Sequence, residues 1–269
     1  MSALPESLSR DLESGRLTEQ LAEIAEEASA LILPYWRAGA AVTTKADDSP
    51  VTEADQKAEA LILERLTALY PGVQTVAEEA CAADGTPDAE NAFFLIDPLD
   101  GTKAFVGERE AFTVNIALAH GERVLAGVIS APAMAQTWRT GGKRRQGRRL
   151  QPPLRRDGLA SGAGAPEARS RFRPDQPFPG RGRGRAIASR FGCAEWQALD
   201  SSVKFCLIAE GRYDVYPRTG PTCEWDTGAG QAILEAPAAG SSPWSRASPC
   251  PTPSRTISTP ASWPWADNT

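Results

Sequence analysis

Apolar residues recur every three or four positions along two stretches of the chain, residues 17–36 and residues 53–69. That spacing places apolar side chains on one face of an α-helix and leaves the acidic residues on the other face. Each stretch therefore predicts an amphipathic helix. Residues 202–211 and 225–236 also predict helices, and we expect Gly211 to cap the carboxyl end of the first of these two.

Shorter apolar runs between the predicted helices indicate β-strands. Residues 92–96, "AFFLI", predict one strand, and residues 112–120 and 123–130 predict a hairpin whose turn is a Gly–Glu pair. Residues 213–218, "YDVYPR", predict a further strand. Because helices and strands mix along the whole chain, the sequence predicts an α/β fold of the layered, α+β kind.

Composition excludes several classes of protein. The chain has 269 residues, of which 41% are hydrophobic, enough for one large domain or two smaller ones with their own cores. A net charge of −5 argues against a protein that coats nucleic acid. The chain has no run of about 18 apolar residues that could form a transmembrane helix. Residues 1–16 contain no apolar signal core, so we expect a cytoplasmic protein.

The thiol and imidazole side chains leave few options for nucleophilic chemistry. The five cysteines are scattered and none forms a Cys-x-x-Cys pair, so we interpret them as reduced thiols. His120 is the single histidine, and its surroundings predict a turn between two strands. The sequence therefore offers few candidate residues for a Ser–His or Cys–His mechanism. If the protein is a hydrolase, the composition favours a metal-activated water as the nucleophile.

Acidic residues cluster at four boundaries between predicted elements. The stretches are "DDSPVTEAD" at 47–55, "AEEA" at 77–80, "DPLDGT" at 97–102 and "EWDTGAG" at 224–230. Carboxylates held at element boundaries suit Mg²⁺, which takes few protein oxygens and leaves positions for water and substrate phosphate. Two such ions about 4 Å apart would clamp an in-line phosphoryl displacement.

Each acidic stretch also has a purely structural interpretation. Thr52 and Asp55 have the spacing of a helix-capping box, and the two glutamates of "AEEA" could be a solvated pair. Asp97 and Asp100 could shape a turn. Asp226 could cap the helix that follows it. Taken one at a time, the stretches favour these structural interpretations, and only their combination favours a metal site.

The acidic motifs, taken in order, resemble those of a known enzyme family. "DSPVTEAD", "EE", "DPLDGTKAF" and "WDTGAG" are similar to the motif set of the inositol-monophosphatase-like, lithium-sensitive, Mg²⁺-dependent phosphatases. Within that superfamily, "SSVKFCLIAEGRYDVYPR" and "EWDTGAGQAILEA" look most like the bacterial 3′(2′),5′-bisphosphate nucleotidases of the CysQ type. The resemblance implies an α-β-α-β-α sandwich, with a metal-binding domain at 1–136 and a substrate domain at 137–269.

The resemblance implies two or three Mg²⁺ ions and a ligand set for them. The ligands of the first ion would be Glu78, Asp97, Asp100 and the backbone carbonyl of Leu99. Asp226 would hold a second ion, which it shares with Asp97 and Asp100.

The resemblance also assigns the catalytic residues. Asp55 and Thr102 would orient the attacking water, with Glu78 as the third catalytic residue. Asp55 would in addition hold a third, weaker ion.

The substrate-binding residues implied by the resemblance are Gly101, Thr102, Ser201, Lys204, Arg218 and Asp226. Gly101 would keep the backbone close to a phosphate. Ser201 and Lys204 would begin a helix whose amino-terminal dipole favours phosphate, and Arg218 could pair with a second phosphate. Lys204 could instead be an ordinary solvated lysine on a helix.

The implied reaction is hydrolysis of a phosphoric monoester. A nucleotidase of this type removes the 3′-phosphate of adenosine 3′,5′-bisphosphate, giving AMP and phosphate, and would act likewise on the sulfated nucleotide in sulfate assimilation. The implied partner is this small nucleotide and not a nucleic acid polymer. An inositol or sugar monophosphatase of the same fold, and an inactive nucleotide-binding homologue, are the alternatives. The subgroup is sometimes peripheral to the cytoplasmic face of the inner membrane, so that location is allowed as well.

Two residues depart from the pattern of the subgroup. Ala104 stands where the subgroup usually has Glu, and Gly228 stands where it usually has Ala. Glycine weakens a helix by about 1 kcal/mol relative to alanine. Neither departure removes a predicted ligand.

Two segments fit neither the periodicity nor the family pattern. Residues 139–190 contain 14 arginines and one lysine against three acidic residues, a net charge of +12, so the rest of the chain carries −17. Residues 236–269 contain seven prolines, seven serines and three tryptophans without periodicity. Neither composition easily builds packed elements. The first segment could be a basic RNA-binding linker, although it lacks interleaved aromatic residues for base stacking.

We interpret both unusual segments as frame-shifted translation. Residues 254–267, "SRTISTPASWPWAD", can be written with GC-rich codons that read in another frame as P-D-Y-L-N-P-G-F-L-A-L-G and then a stop. That ending resembles the usual end of the subgroup. Residues 139–185 would be a second shifted stretch, with the frame restored before "AIASRFG". Resequencing the gene and measuring the intact mass of the natural protein would test this interpretation. A mass of 28.7 kDa would contradict it.

Overall fold

The structure is a computed structural model that describes residues 3–39, 42–44, 50–89, 91–140, 199–210, 212–213, 216 and 222–236. The predicted strand at 213–218 lies mostly outside the described residues, as do Gly211 and Arg218. The unusual segments 139–190 and 236–269 lie almost entirely outside them as well. Their frame-shift interpretation and the predicted domain boundary at residue 136 therefore stay predictions.

Seven helices and seven strands are formed by the described residues. The helices are α1 (Glu6–Ser14), α2 (Arg16–Ala38), α3 (Glu53–Leu69), α4 (Glu78–Asp84), α5 (Thr102–Val106), α6 (Val203–Ala209) and α7 (Glu224–Glu235). The strands are β1 (Val42–Thr44), β2 (Pro50–Thr52), β3 (Gln74–Ala77), β4 (Ala92–Asp100), β5 (Thr113–His120), β6 (Arg123–Ala131) and β7 (Gln136–Arg139). A short 3₁₀ turn, Pro132–Met134, connects β6 with β7.

Five of the strands form one mixed sheet in the order β3-β4-β5-β6-β7. β3 runs parallel to β4, and the remaining neighbours are antiparallel. β1 and β2 form a separate antiparallel pair. α2 and α3 pack on one face of the sheet, and α7 packs on the other face with α6 beside it.

These layers confirm the predicted α/β class. They form an α-β-α arrangement, and the described residues do not form the second sheet of the expected α-β-α-β-α sandwich. Alternation along the strands explains how one sheet serves two helical layers: successive side chains point to opposite faces, so each strand supplies both cores. No helix of the described part of the chain is long and apolar enough to cross a membrane.

The predicted helices are confirmed with small changes at their ends. α3 has the predicted bounds, and α2 and α7 each begin one residue earlier than predicted. The helix predicted at 202–211 is shorter and spans Val203–Ala209, with Glu210 at its carboxyl cap. α1 and α4 were not predicted, because neither has a long apolar stripe: α1 buries only Leu8.

The strand predictions need one correction that bears on the site. The strand predicted at 92–96 continues to Asp100, so Asp97 and Asp100 lie within its last residues and not after it. The hairpin of β5 and β6 is confirmed, and its turn is the predicted Gly–Glu pair. His120 is the last residue of β5 and not part of the turn.

Candidate active site

A β-bulge brings Asp97 and Asp100 to the same face of the sheet. Residues three apart in a regular strand point to opposite faces. Here Asp97 pairs with Asn115 and Asp100 pairs with Thr113. Between these two pairs β4 advances by three residues and β5 by only two, so β4 contains one extra residue. The extra residue re-aims the strand, as bulges do. Both aspartates therefore face the side of the sheet on which α7 packs, the side of Leu95 and Ala117.

The amino-terminal turn of α7 brings a third carboxylate to this place. The atoms that Asp97, Asp100 and Asp226 offer as ligands all lie within 4.8 Å of one another. Asp226 is held by its helix: Oδ2 accepts a hydrogen bond of 2.8 Å from the backbone N–H of Cys223 in a capping box. The structural and the functional interpretations of Asp226 are thus compatible, because the cap fixes the carboxylate that faces the cluster.

Glycines let α7 pack closely against the sheet and against α6. A Cβ on Gly127 of β6 would lie 2.6 Å from the carbonyl oxygen of Ala229 on α7, and a Cβ on Gly230 of α7 would lie 2.3 Å from the ring of Phe205 on α6. Neither distance is tolerated in a real structure. Gly228 is more permissive, since its Cβ would meet no backbone atom: it would lie 2.9 Å from the end of the Leu95 side chain and at an ordinary 3.5 Å from Cβ of Ala117.

Glu78 is positioned by a buried glutamate that sequence reasoning missed. Glu78 is the first residue of α4, directly after β3. The Glu59 carboxylate, on α3, accepts the backbone N–H groups of Glu79 and Ala80, each at 2.8 Å. It thereby fixes the start of α4. The spacing of four residues from Asp55, which places both acids on one helical face, is the signal that could have found Glu59.

Asp55 and Thr102 meet on the side of the cluster next to α3. The Thr102 hydroxyl lies 3.5 Å from Asp55 Oδ1 and 3.2 Å from the carbonyl oxygen of Leu99. Asp55 Oδ2 accepts the backbone N–H of Thr52 at 2.8 Å, in the predicted capping box. One oxygen of Asp55 therefore holds the helix and the other faces Thr102. The structure thus brings together the pair that was predicted to orient water.

The electrostatics of the cluster favour a bound cation. Burial raises the pKa of Asp97 well above its ordinary value, and repulsion from Glu78, Asp100 and Asp226 raises it further. Desolvation and the charge of Asp226 raise the pKa of Asp100 to about 7, although Lys204 opposes this shift. Carboxylates crowded in this way are costly to ionise unless a positive charge joins them.

The donor set also fits a hard divalent ion. Asp97 is 1% exposed, and no donor of the described residues reaches its Oδ2. A buried oxygen without a donor is rare in proteins and calls for a partner. Clustered carboxylate oxygens with a backbone carbonyl nearby are the ligands that Mg²⁺ prefers. Asp97, Asp100 and Asp226 can therefore hold a metal ion.

The segment Leu199–Lys204 borders the cluster on the α6 side. Gly101 has φ 90°, and a Cβ there would lie 3.0 Å from the carbonyl oxygen of Ala111 and 3.1 Å from Cβ of Ser201. Only glycine fits this close approach. Lys204 Nζ donates to the carbonyl oxygen of Leu199 at 3.1 Å and lies 4.7 Å from the ring centre of Tyr216.

Comparison with known proteins places these features in a family. The model of the inositol monophosphatase family matches residues 14–253. The chain belongs to the inositol monophosphatase family. A curated relative, the 3′(2′),5′-bisphosphate nucleotidase CysQ of Salmonella typhimurium, is 33% identical, and the match covers 85% of this chain and 91% of the relative. The family resemblance inferred from the motifs is confirmed.

Solved structures agree with the fold. The crystal structure of CysQ from Bacteroides thetaiotaomicron has a TM-score of 0.51 and 28% identity, covering 81% of this chain and 86% of that chain. Inositol monophosphatase from Anabaena sp. PCC 7120 has a TM-score of 0.58 and 23% identity, covering 83% and 82%. The second likeness supports the fold alone.

Proposed function

We propose that the protein is a Mg²⁺-dependent phosphatase that removes the 3′-phosphate of adenosine 3′,5′-bisphosphate, giving AMP and phosphate. The observation that carries the proposal is the cluster of Asp97, Asp100 and Asp226 next to Lys204, in a chain similar to named bisphosphate nucleotidases. The same reaction on the 3′-phosphate of the sulfated nucleotide would give the enzyme a role in sulfate assimilation.

Two or three Mg²⁺ ions would be held by the predicted ligands Glu78, Asp97, Leu99, Asp100 and Asp226. Bound Mg²⁺ supplies charge stabilisation for a transferring phosphoryl group and a nucleophile at neutral pH. The chain contributes rigid ligand positions: a bulge fixes Asp97 and Asp100, a capping box fixes Asp226, and Glu59 fixes the helix that begins with Glu78.

Asp55 and Thr102 are suited to hold the attacking water and take its proton. Burial raises the pKa of Asp55, which makes its carboxylate a better proton acceptor. Its Oδ2 is occupied by the α3 cap, so Oδ1 is the atom that would receive the proton. The Thr102 hydroxyl, 3.5 Å from Oδ1, would orient the water as a hydrogen-bond partner.

Lys204 supports a substrate with two phosphates over one with a single phosphate. It lies close enough to lower the pKa of Asp100, yet it is on α6 and not among the carboxylates. A cation beside the cluster can bind a phosphate that is not being hydrolysed. An inositol monophosphate has no such second group. Arg218 is predicted to assist Lys204 and stays a prediction.

The test is a phosphate-release assay on a substrate panel. Adenosine 3′,5′-bisphosphate, its sulfated form and inositol 1-phosphate are compared with Mg²⁺ and with EDTA. We expect the bisphosphate to have the highest kcat/KM and all activity to disappear with EDTA. A preference for inositol 1-phosphate would make the protein a monophosphatase. Failure to release phosphate from any substrate would make it an inactive homologue.

Lithium provides an independent test of the family mechanism. The family resemblance predicts that Li⁺ replaces one Mg²⁺ ion and inhibits turnover. LiCl is titrated against activity, with KCl at the same ionic strength as the control. An equal response to both salts would contradict the assignment.

A further inference from the structure

Ser202 is a buried junction between the carboxylate cluster and the segment Leu199–Lys204. Its hydroxyl donates to Asn115 Oδ1 at 2.7 Å and lies 2.8 Å from the hydroxyl of Thr113. Ser202, Thr113 and Asn115 are each at most 2% exposed. Three polar side chains buried together are costly unless they form hydrogen bonds with one another. The hydroxyl of Ser202 is the atom that pairs with both Asn115 Oδ1 and the hydroxyl of Thr113.

The same junction reaches the aspartates of the cluster. Thr113 and Asn115 are the residues of β5 that pair with Asp100 and Asp97 across the bulge. The backbone N–H of Ser202 in addition lies beside the Asp100 carboxylate and lowers its pKa. Ser202 therefore adjoins Asp100, while its hydroxyl is held by the two residues that lie opposite the aspartates.

The rest of the segment is attached to other elements around this point. The Arg109 guanidinium forms an ion pair with Asp200 and donates to the carbonyl oxygen of Lys103 at 3.1 Å. Ser201 is held at φ 56°, a conformation that L-residues adopt at a cost and keep only when their surroundings impose it. The segment is thus built to hold one conformation against the cluster.

Asn115 gives a second sign that the junction belongs to the site. Its Nδ2 is buried, and no hydrogen-bond partner is found for it among the described residues. Asp97 Oδ2, on the paired position of β4, likewise has none. Buried polar atoms without a partner are rare and call for one. Asn115 and Asp97 occupy paired positions of β5 and β4, so the junction adjoins the carboxylates that can hold a metal ion.

We propose that Ser202 is a positioning residue of the active site. Its hydroxyl, held by Thr113 and Asn115, keeps Ser201 and Lys204 at a fixed distance from the Asp97–Asp100 pair. The segment would bind one phosphate of the substrate, and the carboxylates would act on the other phosphate. Ser202 then keeps these two binding places in one relative geometry. The kinetic part of this inference rests on the proposed function, whereas the metal-binding part does not.

The test replaces Ser202 by Ala, which removes the hydroxyl and keeps the backbone N–H. Binding of Mg²⁺ alone is measured by calorimetry, and kcat/KM is measured with adenosine 3′,5′-bisphosphate. Replacing a residue that orients the metal ligands without binding the metal itself typically changes metal affinity or activity by about 10–100-fold. We expect Ser202→Ala to lower both quantities within that range, and Ser202→Thr, which keeps the hydroxyl, to recover most of the loss.

The control variant is Ser29→Ala. Ser29 is fully buried, and its hydroxyl donates to that of Ser130 at 2.9 Å on the other side of the sheet. The Ser29→Ala variant therefore removes a hydroxyl from an equally buried position that is remote from the carboxylate cluster. We expect it to lower the melting temperature without changing Mg²⁺ affinity. An equal loss of Mg²⁺ affinity in Ser29→Ala and Ser202→Ala would overturn the proposal.

Thr113→Val carries the test if Ser202→Ala yields little folded protein. Valine has the shape of threonine with a methyl group in place of the hydroxyl, so we expect a smaller loss of Mg²⁺ affinity in the same direction. Added to Ser202→Ala, it should cause no further loss, because residues of one network are not additive. Wild-type affinity and turnover in both single variants would refute the positioning role. Weakened Mg²⁺ binding in a protein without nucleotidase activity would support it and reject only the proposed function.

Discussion

The two faces of β5 show how one strand serves two purposes. Val114, Ile116 and Leu118 point toward α2 and α3 and belong to a continuous apolar core. Thr113 and Asn115 point to the opposite face, which α7 covers. Large apolar side chains hold the strand in place from one side. Small and polar side chains on the other side leave space for carboxylates and for a closely packed helix.

The helices on the two faces differ in the same way. α2 has 23 residues and α3 has 17, and both bury apolar residues along their whole length. α6 has seven residues and α7 has twelve, and α7 buries Gly228, Ala229, Gly230 and Ala232 in place of large side chains. Stability therefore depends mainly on the first face. The geometry of the site depends on close contacts and hydrogen bonds on the second face.

Asp97→Asn is expected to have the largest effect and to separate activity from stability. The variant removes a shared ligand, so kcat should fall by several orders of magnitude. In EDTA its melting temperature should rise above that of the wild type, because repulsion among the carboxylates is reduced. The control is Glu6→Gln, which neutralises a side chain that is 91% exposed. Near-normal turnover in Asp97→Asn would reject the metal assignment.

The parts of the site that were predictable from sequence depend on local spacing. Thr52 and Asp55 are three residues apart before an apolar run, and the capping box forms as that spacing predicts. Asp97 and Asp100 stand in one short motif, so their proximity was expected. These contacts lie within a single turn or strand end. Local geometry is enough to form the capping box and to place the two aspartates in one motif.

The parts that were not predictable depend on partners distant in sequence. The bulge that turns Asp97 and Asp100 to one face exists only because β5 pairs with β4 in a shifted register. Ser202 meets Asn115 across 87 residues, and Glu59 meets the start of α4 across 20. β3 and β7 have four residues each and too little pattern to detect. In each case the deciding contact is tertiary.

Ile24→Ala tests whether the α2 side of the sheet contributes to stability without contributing to catalysis. Ile24 is fully buried on α2, and truncations of this kind cost about 2–5 kcal/mol of unfolding free energy. We expect that loss in denaturant unfolding, with kcat and KM of the folded protein unchanged. Ile24→Val should lose only about 0.5–1.5 kcal/mol. A fall in kcat at low temperature, where the variant is folded, would show that the two faces are coupled.

Gly127→Ala tests the close packing of α7. The new Cβ would lie 2.6 Å from a backbone oxygen of α7, which must then move away from the sheet and carry Asp226 with it. Overpacking costs about 1–3 kcal/mol, and we expect kcat to fall as well. Gly228→Ala is the matched control, since its Cβ meets side chains and no backbone atom, and alanine favours helix by about 1 kcal/mol. Equal damage from both variants would mean that volume alone, and not the α7 position, is responsible.

Lys204→Ala is expected to have the narrowest effect, on KM and not on stability or kcat, and to identify the substrate. Losing a charged hydrogen bond to phosphate costs about 1.5–3 kcal/mol, so KM for adenosine 3′,5′-bisphosphate should rise about tenfold or more, with little change in kcat. Arg218→Ala is predicted to act in the same direction. A monophosphate substrate should be nearly indifferent to either variant, and Arg65→Ala, which removes an exposed cation from α3, serves as the control. Equal increases in KM for monophosphate and bisphosphate would place Lys204 at the reacting phosphate. The α6 side of the cluster would then not be the site of the second phosphate.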